Sequence, residues 1–160
     1  MSALVVLGLD LGARLGWCVL DGDELLGQGV ARLGVRFGAR GGQHHDRALV
    51  ARDLRNVVRA VLGSHIPHVV AYEKVRRHAG VDAAHVYGAL EVALLEVVAT
   101  MERPPCVVEV GVGAAKKALA GKGNADKAAM VAAAEKLHPG RGWSEDAADA
   151  LAVAMVGGRP

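Results

Sequence analysis

Aromatic residues and cysteines are scarce in this sequence. Phenylalanine, tyrosine and tryptophan make up 3% of the 160 residues, so the core has to be built from small aliphatic side chains in close contact. The two cysteines, Cys18 and Cys106, lie far apart and each is flanked by apolar residues. This placement favours buried, reduced thiols over a disulfide framework or a metal knot. We therefore expect a cytoplasmic protein with an aliphatic α/β core.

The sequence also lacks a long hydrophobic run. Residues 3–9 are apolar, but Asp10 interrupts them and no basic segment precedes them, which excludes a signal peptide and a membrane span. We interpret this run as a buried strand and expect no membrane partner. With 52% hydrophobic residues, the chain can bury one core but is too short for two ordinary domains. We expect one domain over residues 1–160.

The net charge is small, at +2, but the basic residues are clustered. Residues 32–59 contain seven arginines, Arg47 and Arg52 among them, against two aspartates. Two further clusters consist of Lys74, Arg76 and Arg77 and of Lys116, Lys117, Lys122 and Lys127. A single cluster of this kind is more often an ordinary solvated surface, but the distribution as a whole favours a nucleic-acid partner.

The order of the apolar segments predicts an α/β fold. Three strands, at residues 4–10, 17–20 and 24–32, are joined by short turns as an antiparallel meander, and the glycine-rich segment 34–42 is expected to be a mobile loop. Further strands are predicted at residues 68–72 and 107–110, and helices at residues 46–62, 83–101, 112–119, 124–137 and 144–155. Asn124 and Ser144 are the predicted N-caps of the last two helices. We predict a mixed five-stranded sheet flanked by helices.

Four acidic residues occupy positions that favour a common site. Asp10 ends the first predicted strand and Glu73 follows the fourth, while Asp146 and Asp149 lie three residues apart near the start of the last helix and so share one face. Taken singly, each acid is more often a turn residue or a charge at a helix N-terminus. Together, without a basic partner, they would repel one another strongly. Oxygen ligands alone favour Mg²⁺ or Mn²⁺ over Zn²⁺, so we predict a divalent-metal site.

Four segments around these acids resemble the RuvC Holliday junction resolvases, and more narrowly their phage-like members. The segments are GLDLGARLGWCVLD around Asp10, VVAYEKVRRHAGVDAAHVYG around Glu73, AAKKALAGKGNADKAAMV with Lys116 and Lys127, and SEDAADALAVAM with Asp146 and Asp149. They stand in the order typical of the family, and the resemblance covers essentially the whole chain.

The resemblance implies a ribonuclease H-like fold and a structure-selective endonuclease that cleaves Holliday junctions and other branched DNA, leaving 5′-phosphate and 3′-hydroxyl ends. The four acids would be catalytic ligands of two Mg²⁺ ions, with Mn²⁺ able to substitute, and two such ions activate a water and stabilise the leaving 3′ oxygen. By the same resemblance, Lys116 and Lys127 would lie near the scissile phosphate. Further DNA contacts are expected from Lys74, Arg76, Arg77, Lys117, Lys122, Arg47 and Arg52.

The sequence departs from the better-known bacterial members just after Glu73. Those members carry an aromatic residue there, whereas this chain has Arg76, Arg77 and His78. Arginine stacks on bases or binds phosphate in a different way from an aromatic ring, so distortion of the junction centre and sequence preference stay open.

Other functions remain as alternatives. The segment GLDLG also resembles the first phosphate loop of actin-like ATPases and sugar kinases, but those need two domains and a later DxG that this chain lacks. A non-catalytic junction-binding or RNA-processing relative of the same fold also stays open, as does a nuclease of this fold that acts broadly on flaps and forks.

The helix at residues 83–101 predicts a homodimer. It is apolar around more than half its circumference, since Ala84, Ala89, Val92 and Leu95 add to its main stripe. Gly88 in mid-helix destabilises the helix by roughly 1 kcal/mol relative to alanine. This cost is understandable if the missing side chain lets a partner backbone approach closely, with packing against the chain's own sheet as the alternative. A four-way junction has two equivalent strands to cut, and RuvC enzymes work as dimers.

Overall fold

The computed structural model describes residues 4–34 and 47–159. Within them the chain forms five strands and five helices. The strands are β1 (Val5–Asp10), β2 (Arg14–Asp21), β3 (Glu24–Arg32), β4 (Val69–Lys74) and β5 (Cys106–Gly111). The helices are α1 (Arg47–His65), α2 (Val81–Ala99), α3 (Val112–Ala120), α4 (Lys127–Leu137) and α5 (Glu145–Gly157).

The strands form one mixed sheet in the order β3-β2-β1-β4-β5. β1, β2 and β3 pair antiparallel, and β4 joins β1 and β5 in parallel. Parallel pairing requires crossover connections, which α1 and α2 supply. The sequence-based prediction of a mixed five-stranded sheet with three antiparallel strands first is confirmed.

Helices cover both faces of this sheet and divide the core into two layers. Alternate residues of β1 and β4, such as Leu7 and Val70, pack with α1 and α2, whereas Val6 and Ala71 pack with α3, α4 and α5. Side chains alternate between the faces of a strand, so Asp10 and Glu73 share the face of Val6 and Ala71. That face is the one covered by α5.

Glycines in the sheet allow α5 to lie unusually close to it. A Cβ atom on Gly8 would overlap the carbonyl oxygen of Ala150, and a Cβ on Gly16 would overlap that of Asp146. Only glycine fits at a strand position where the backbone of a helix lies this close to the backbone of the strand. These two contacts fix α5, and the acids that it carries, against the ends of β1 and β2.

Several sequence-based boundaries need correction. β2 starts at Arg14, earlier than expected, because its first residues pair with the end of β3, from Arg14 with Arg32 onward. α4 starts at Lys127 and its N-cap is Asp126, not Asn124, since the Asp126 carboxylate accepts the amide of Ala129 at 2.8 Å. Ser144 does cap α5, as predicted.

The two cysteines also differ from one another. Cys18 is fully buried, as expected, whereas Cys106 is exposed at the start of the edge strand β5. The predicted mobile loop falls outside the described residues from position 35 onward. Across the part of the chain that is described, no helix is both long and apolar enough to cross a bilayer.

Candidate active site

Asp10 and Glu73 end neighbouring parallel strands. The pairing of β1 with β4 runs through Leu9 and Tyr72, so the next residue of each strand places the two acids side by side. Adjacent strands lie about 4.8 Å apart, which brings both carboxylates to one edge of the sheet on the α5 face.

The first two turns of α5 bring the other two acids to the same place. The Ser144 hydroxyl caps the helix by accepting the amide of Ala147 at 3.2 Å. Asp146 therefore lies in the first turn, where the helix dipole favours a negative charge, and Asp149 follows one turn later on the same side. The close contact of α5 with Gly16 holds this turn against the sheet.

The electrostatics of Asp10 reflect this crowding. Burial, reinforced by the charges of Glu73, Asp149 and Asp146, raises the pKa of Asp10 to about 8. Burial is also the first cause of the raised pKa values of Glu73 and Asp149, and Asp149 itself adds to the shift of Glu73. Asp10, Glu73 and Asp149 thus resist ionisation, and a bound cation would favour their charged forms.

Two lysines face this group of acids. The charge of Lys116 partly offsets the burial that raises the pKa values of Glu73 and Asp149, and the charge of Lys127 partly offsets the rise at Asp10 and Asp149. The Lys116 ammonium donates to the carbonyl of Ala125 at 2.9 Å, which holds it in place. The structure thus brings together the four acids and two lysines singled out from the sequence.

Arg14 is a neighbour of the site that the sequence analysis did not single out. Its Nε donates to Oδ2 of Asp146 at 2.8 Å, so the acids do have a basic partner, contrary to expectation. Because β1 and β2 pair antiparallel, the first residue of β2 lies close to the end of β1. The register of this hairpin could therefore have indicated that Arg14 lies near Asp10. Glu145, also missed, accepts from Lys127 at 2.7 Å.

The acids suit a hard divalent cation in donor type but do not yet form a closed ligand set. Among residues 4–34 and 47–159, no three acidic, histidine or cysteine side chains are gathered closely enough to hold a metal as they stand. Arg14 engages one oxygen of Asp146. A metal ion would draw the carboxylates together and compete with Arg14 for Asp146.

The other basic residues singled out from the sequence differ in their partners and exposure. Lys74 points to the opposite sheet face, where it pairs with Glu91 at 3.2 Å and Glu109 at 3.0 Å. Arg52 pairs with Asp53 on α1. Five others are exposed on the surface: Arg47, Arg76, Arg77, Lys117 and Lys122.

The raised pKa of Asp10 predicts a pH dependence of stability. Between its ordinary value of 3.8 and about 8, the folded protein holds a proton that the unfolded chain has released. The free energy of unfolding therefore falls as the pH rises through this range. In EDTA we expect the Tm to be lower at about pH 8.5 than at about pH 6, and Asp10→Asn to remove much of this fall.

Differential scanning fluorimetry over this pH range checks the prediction, with Asp23→Asn on the exposed β2–β3 turn as the control. A Tm that falls equally in wild type and Asp10→Asn would contradict it. Added Mg²⁺ should raise the Tm of the wild type most at the alkaline end, where the acids are ionised.

A sheet in the order β3-β2-β1-β4-β5, with acids at the ends of β1 and β4 and on the last helix, defines the ribonuclease H-like fold. The family model described as crossover junction endodeoxyribonuclease RuvC matches residues 6–157. The chain belongs to the RuvC family.

Individual relatives agree with this assignment. The crossover junction endodeoxyribonuclease RuvC of a Synechococcus strain is 34% identical, over 95% of this chain and 96% of the relative. A structure of Thermus thermophilus RuvC is 25% identical and covers 95% of this chain and 92% of its own, with a TM-score of 0.65. A complex of T. thermophilus RuvC with a Holliday junction substrate has a TM-score of 0.76 at 24% identity, over 95% and 91% of the chains.

A more distant structure extends the likeness of fold. The yeast mitochondrial Holliday junction resolvase is 19% identical and has a TM-score of 0.65, over 94% of this chain and 75% of its own.

Proposed function

We propose that this chain is a Mg²⁺-dependent endonuclease that resolves Holliday junctions and cuts related branched DNA. The observation that carries the proposal is the convergence of Asp10, Glu73 and Asp149 with Lys116 and Lys127 on one face at the sheet edge. Membership of the RuvC family supports the same chemistry. We further propose that residues 1–160 act as one nuclease domain in the cytoplasm; origin in a phage stays a prediction.

The four acids would hold two divalent ions, and Mn²⁺ should replace Mg²⁺ because both prefer carboxylate oxygens. Bound in this way, such ions polarise the phosphodiester, activate water and stabilise the leaving oxygen. Asp10 and Glu73 approach from the sheet, and Asp146 and Asp149 from α5. Hydrolysis by this chemistry leaves a 5′-phosphate and a 3′-hydroxyl.

The lysines contribute binding and charge neutralisation. Lys116 is fixed by the Ala125 carbonyl, and its two remaining N–H groups are available to phosphate oxygens. Lys127 is more exposed and pairs with Glu145, so a phosphate entering the site would compete with that carboxylate. A preorganised ammonium group near the scissile phosphate stabilises the negative charge of the transition state.

Incubation of an end-labelled four-way junction with the protein in EDTA, Mg²⁺, Mn²⁺ or Ca²⁺ tests the proposal. We expect nicks that DNA ligase can seal in Mg²⁺ and Mn²⁺, which requires 5′-phosphate and 3′-hydroxyl ends, and binding with little cutting in Ca²⁺. Retarded junction without cleavage under every metal would favour the alternative of a non-catalytic junction-binding relative.

We also propose that Arg76 and Arg77 bind DNA. Both are exposed in the segment between β4 and α2, beside the end of the strand that carries Glu73. Lys74 is different, because its ammonium group is held between Glu91 and Glu109. The three residues that formed one cluster in the sequence are therefore expected to act differently.

Replacement of Arg76 and Arg77 by alanine should weaken binding to all branched substrates alike. Each lost phosphate contact should lower the slope of log Kd against log salt by about one. Fluorescence anisotropy at several salt concentrations measures this, with Lys74→Ala as the matched control that should lower Tm more than affinity. Unchanged affinity and slope in the double variant would show that the two arginines are only a solvated surface.

The chain is further proposed to act as a homodimer through α2. The exposed apolar side chains Val81, Val92 and Leu95 are 71%, 55% and 41% accessible, and they recur along the helix at intervals of three, four or seven residues together with Gly88. Within the described ranges 4–34 and 47–159, a Cβ atom on Gly88 would meet nothing within 4 Å. This open position supports the approach of a partner backbone at Gly88 over packing of Gly88 against the chain's own sheet.

A further inference from the structure

The hydroxyl of Tyr87 on α2 bridges two backbone groups on either side of Lys74. It donates to the carbonyl of Glu73 at 2.8 Å and accepts the amide of Val75 at 3.5 Å. The first bond is short and the second is at the limit of hydrogen-bond distance. The ring thus contacts the backbone of the residue whose carboxylate lies in the site on the other face of the sheet.

The strand needs such support at this position. β4 runs to Lys74, but its pairing with β1 ends at Tyr72, so Glu73 has a paired strand neighbour only in β5. A strand end that is paired on one side has more freedom to twist, and rotation of the Glu73 peptide would redirect its side chain. The Tyr87 hydroxyl donates to the Glu73 carbonyl just beyond the point where the pairing of β4 with β1 ends.

Tyr87 is itself held firmly. Its side chain is buried in the core layer between the sheet and α2, and its ring lies 5.0 Å from that of His78. Burial raises the pKa of the hydroxyl, so it remains protonated and able to donate. A buried aromatic ring with two rotatable bonds is a rigid support for a hydrogen-bonding group.

We propose that Tyr87 is a positioning residue for Glu73, which acts by fixing the peptide that directs the Glu73 carboxylate towards the metal site. Tyr87 lies on α2, the helix proposed to form the dimer interface, and its ring contacts His78, next to Arg77. It therefore also links α2 and the segment of Arg76 and Arg77 to the Glu73 carboxylate. This inference rests on the proposed function.

The test is Tyr87→Phe, which removes the hydroxyl and keeps the ring. Loss of a group that orients a metal ligand typically lowers metal affinity or activity by about 10- to 100-fold. We expect the Mg²⁺ concentration that half-saturates cleavage to rise about tenfold, with junction affinity in Ca²⁺ unchanged. In the absence of DNA, the midpoint of the Mg²⁺-induced rise in Tm should move in the same direction.

Tyr72→Phe is the matched control, because the only other tyrosine of the chain also bonds between β4 and α2. Its hydroxyl contacts Glu91 and Glu109, at 2.8 and 3.0 Å, and not the Glu73 backbone. Both variants should lose stability, but only Tyr87→Phe should shift the two Mg²⁺ midpoints.

Equal Mg²⁺ midpoints in wild type and Tyr87→Phe, or equal shifts in both tyrosine variants, would overturn the inference and leave Tyr87 a structural residue. If the wild type cuts no branched DNA in Mg²⁺ or Mn²⁺, the proposed function fails instead. The Tm midpoints then still report whether Tyr87 affects metal binding.

Discussion

Replacement of Asp10 or Asp149 by asparagine is expected to abolish junction cleavage while leaving junction binding intact or tighter. Asparagine keeps the shape of the side chain but removes a negative charge that a divalent ion needs. Removal of one group that stabilises transition-state charge commonly slows an enzyme by at least about a hundredfold. Binding should survive because the exposed lysines and arginines that are proposed to contact phosphate are untouched.

Single-turnover cleavage and gel retardation in Ca²⁺ measure the two effects separately. Glu102→Gln, an exposed acid in the turn after α2, is the control for the loss of a carboxylate remote from the site. Cleavage by either aspartate variant within about tenfold of wild type would contradict the assignment of the site, since such a loss is smaller than removal of a charge-stabilising group produces.

Replacement of Leu95 or Gly88 by glutamate should produce a monomer that nicks a junction without coordinating the second cut. A charge placed in an apolar interface has to be desolvated without a partner, which strongly disfavours association. A stable interface buries about 800 Å² on each partner, and the exposed apolar positions of α2 would lie at its centre. A monomer has one active site, so it would have to dissociate from the junction and rebind before it could make the second incision.

Light scattering at micromolar concentration gives the oligomeric state, and a cruciform plasmid separates single nicks from paired incisions by the ratio of nicked to linear product. Leu137→Glu is a matched control, because Leu137 is an exposed leucine on α4, on the sheet face opposite α2. A wild-type mass near the 16.5 kDa of one chain would remove both the interface and the paired-incision mechanism.

Much of the fold could be predicted from local patterns. The strand before Asp10, the apolar face of α2 and the Ser144 cap follow from periodicity and capping, which depend on residues close in sequence. The spacing of Asp146 and Asp149 likewise required only the geometry of one helix. The start of α4 was misplaced because Asn124 and Asp126 are both good caps and the choice depends on the turn before them.

The contacts between elements could not be predicted in this way. The ion pair of Arg14 with Asp146, the enclosure of Lys74 by two glutamates and the Tyr87 bond to Glu73 join residues far apart in sequence. Each depends on strand register and helix placement, which the close approach of α5 to Gly8 and Gly16 helps to fix. A single glycine within each of the strands β1 and β2 signals a close neighbour but does not identify it.

The most direct test of the central claim is the cleavage rate of the purified protein on matched four-way junctions, flaps, forks, RNA–DNA hybrids and linear duplexes in Mg²⁺. We predict that the four-way junction is cut fastest, by paired incisions in strands of like polarity, and that EDTA stops the reaction. Equal or faster cutting of hybrids or linear duplexes, or no cutting of the junction in Mg²⁺ or Mn²⁺, would contradict the claim.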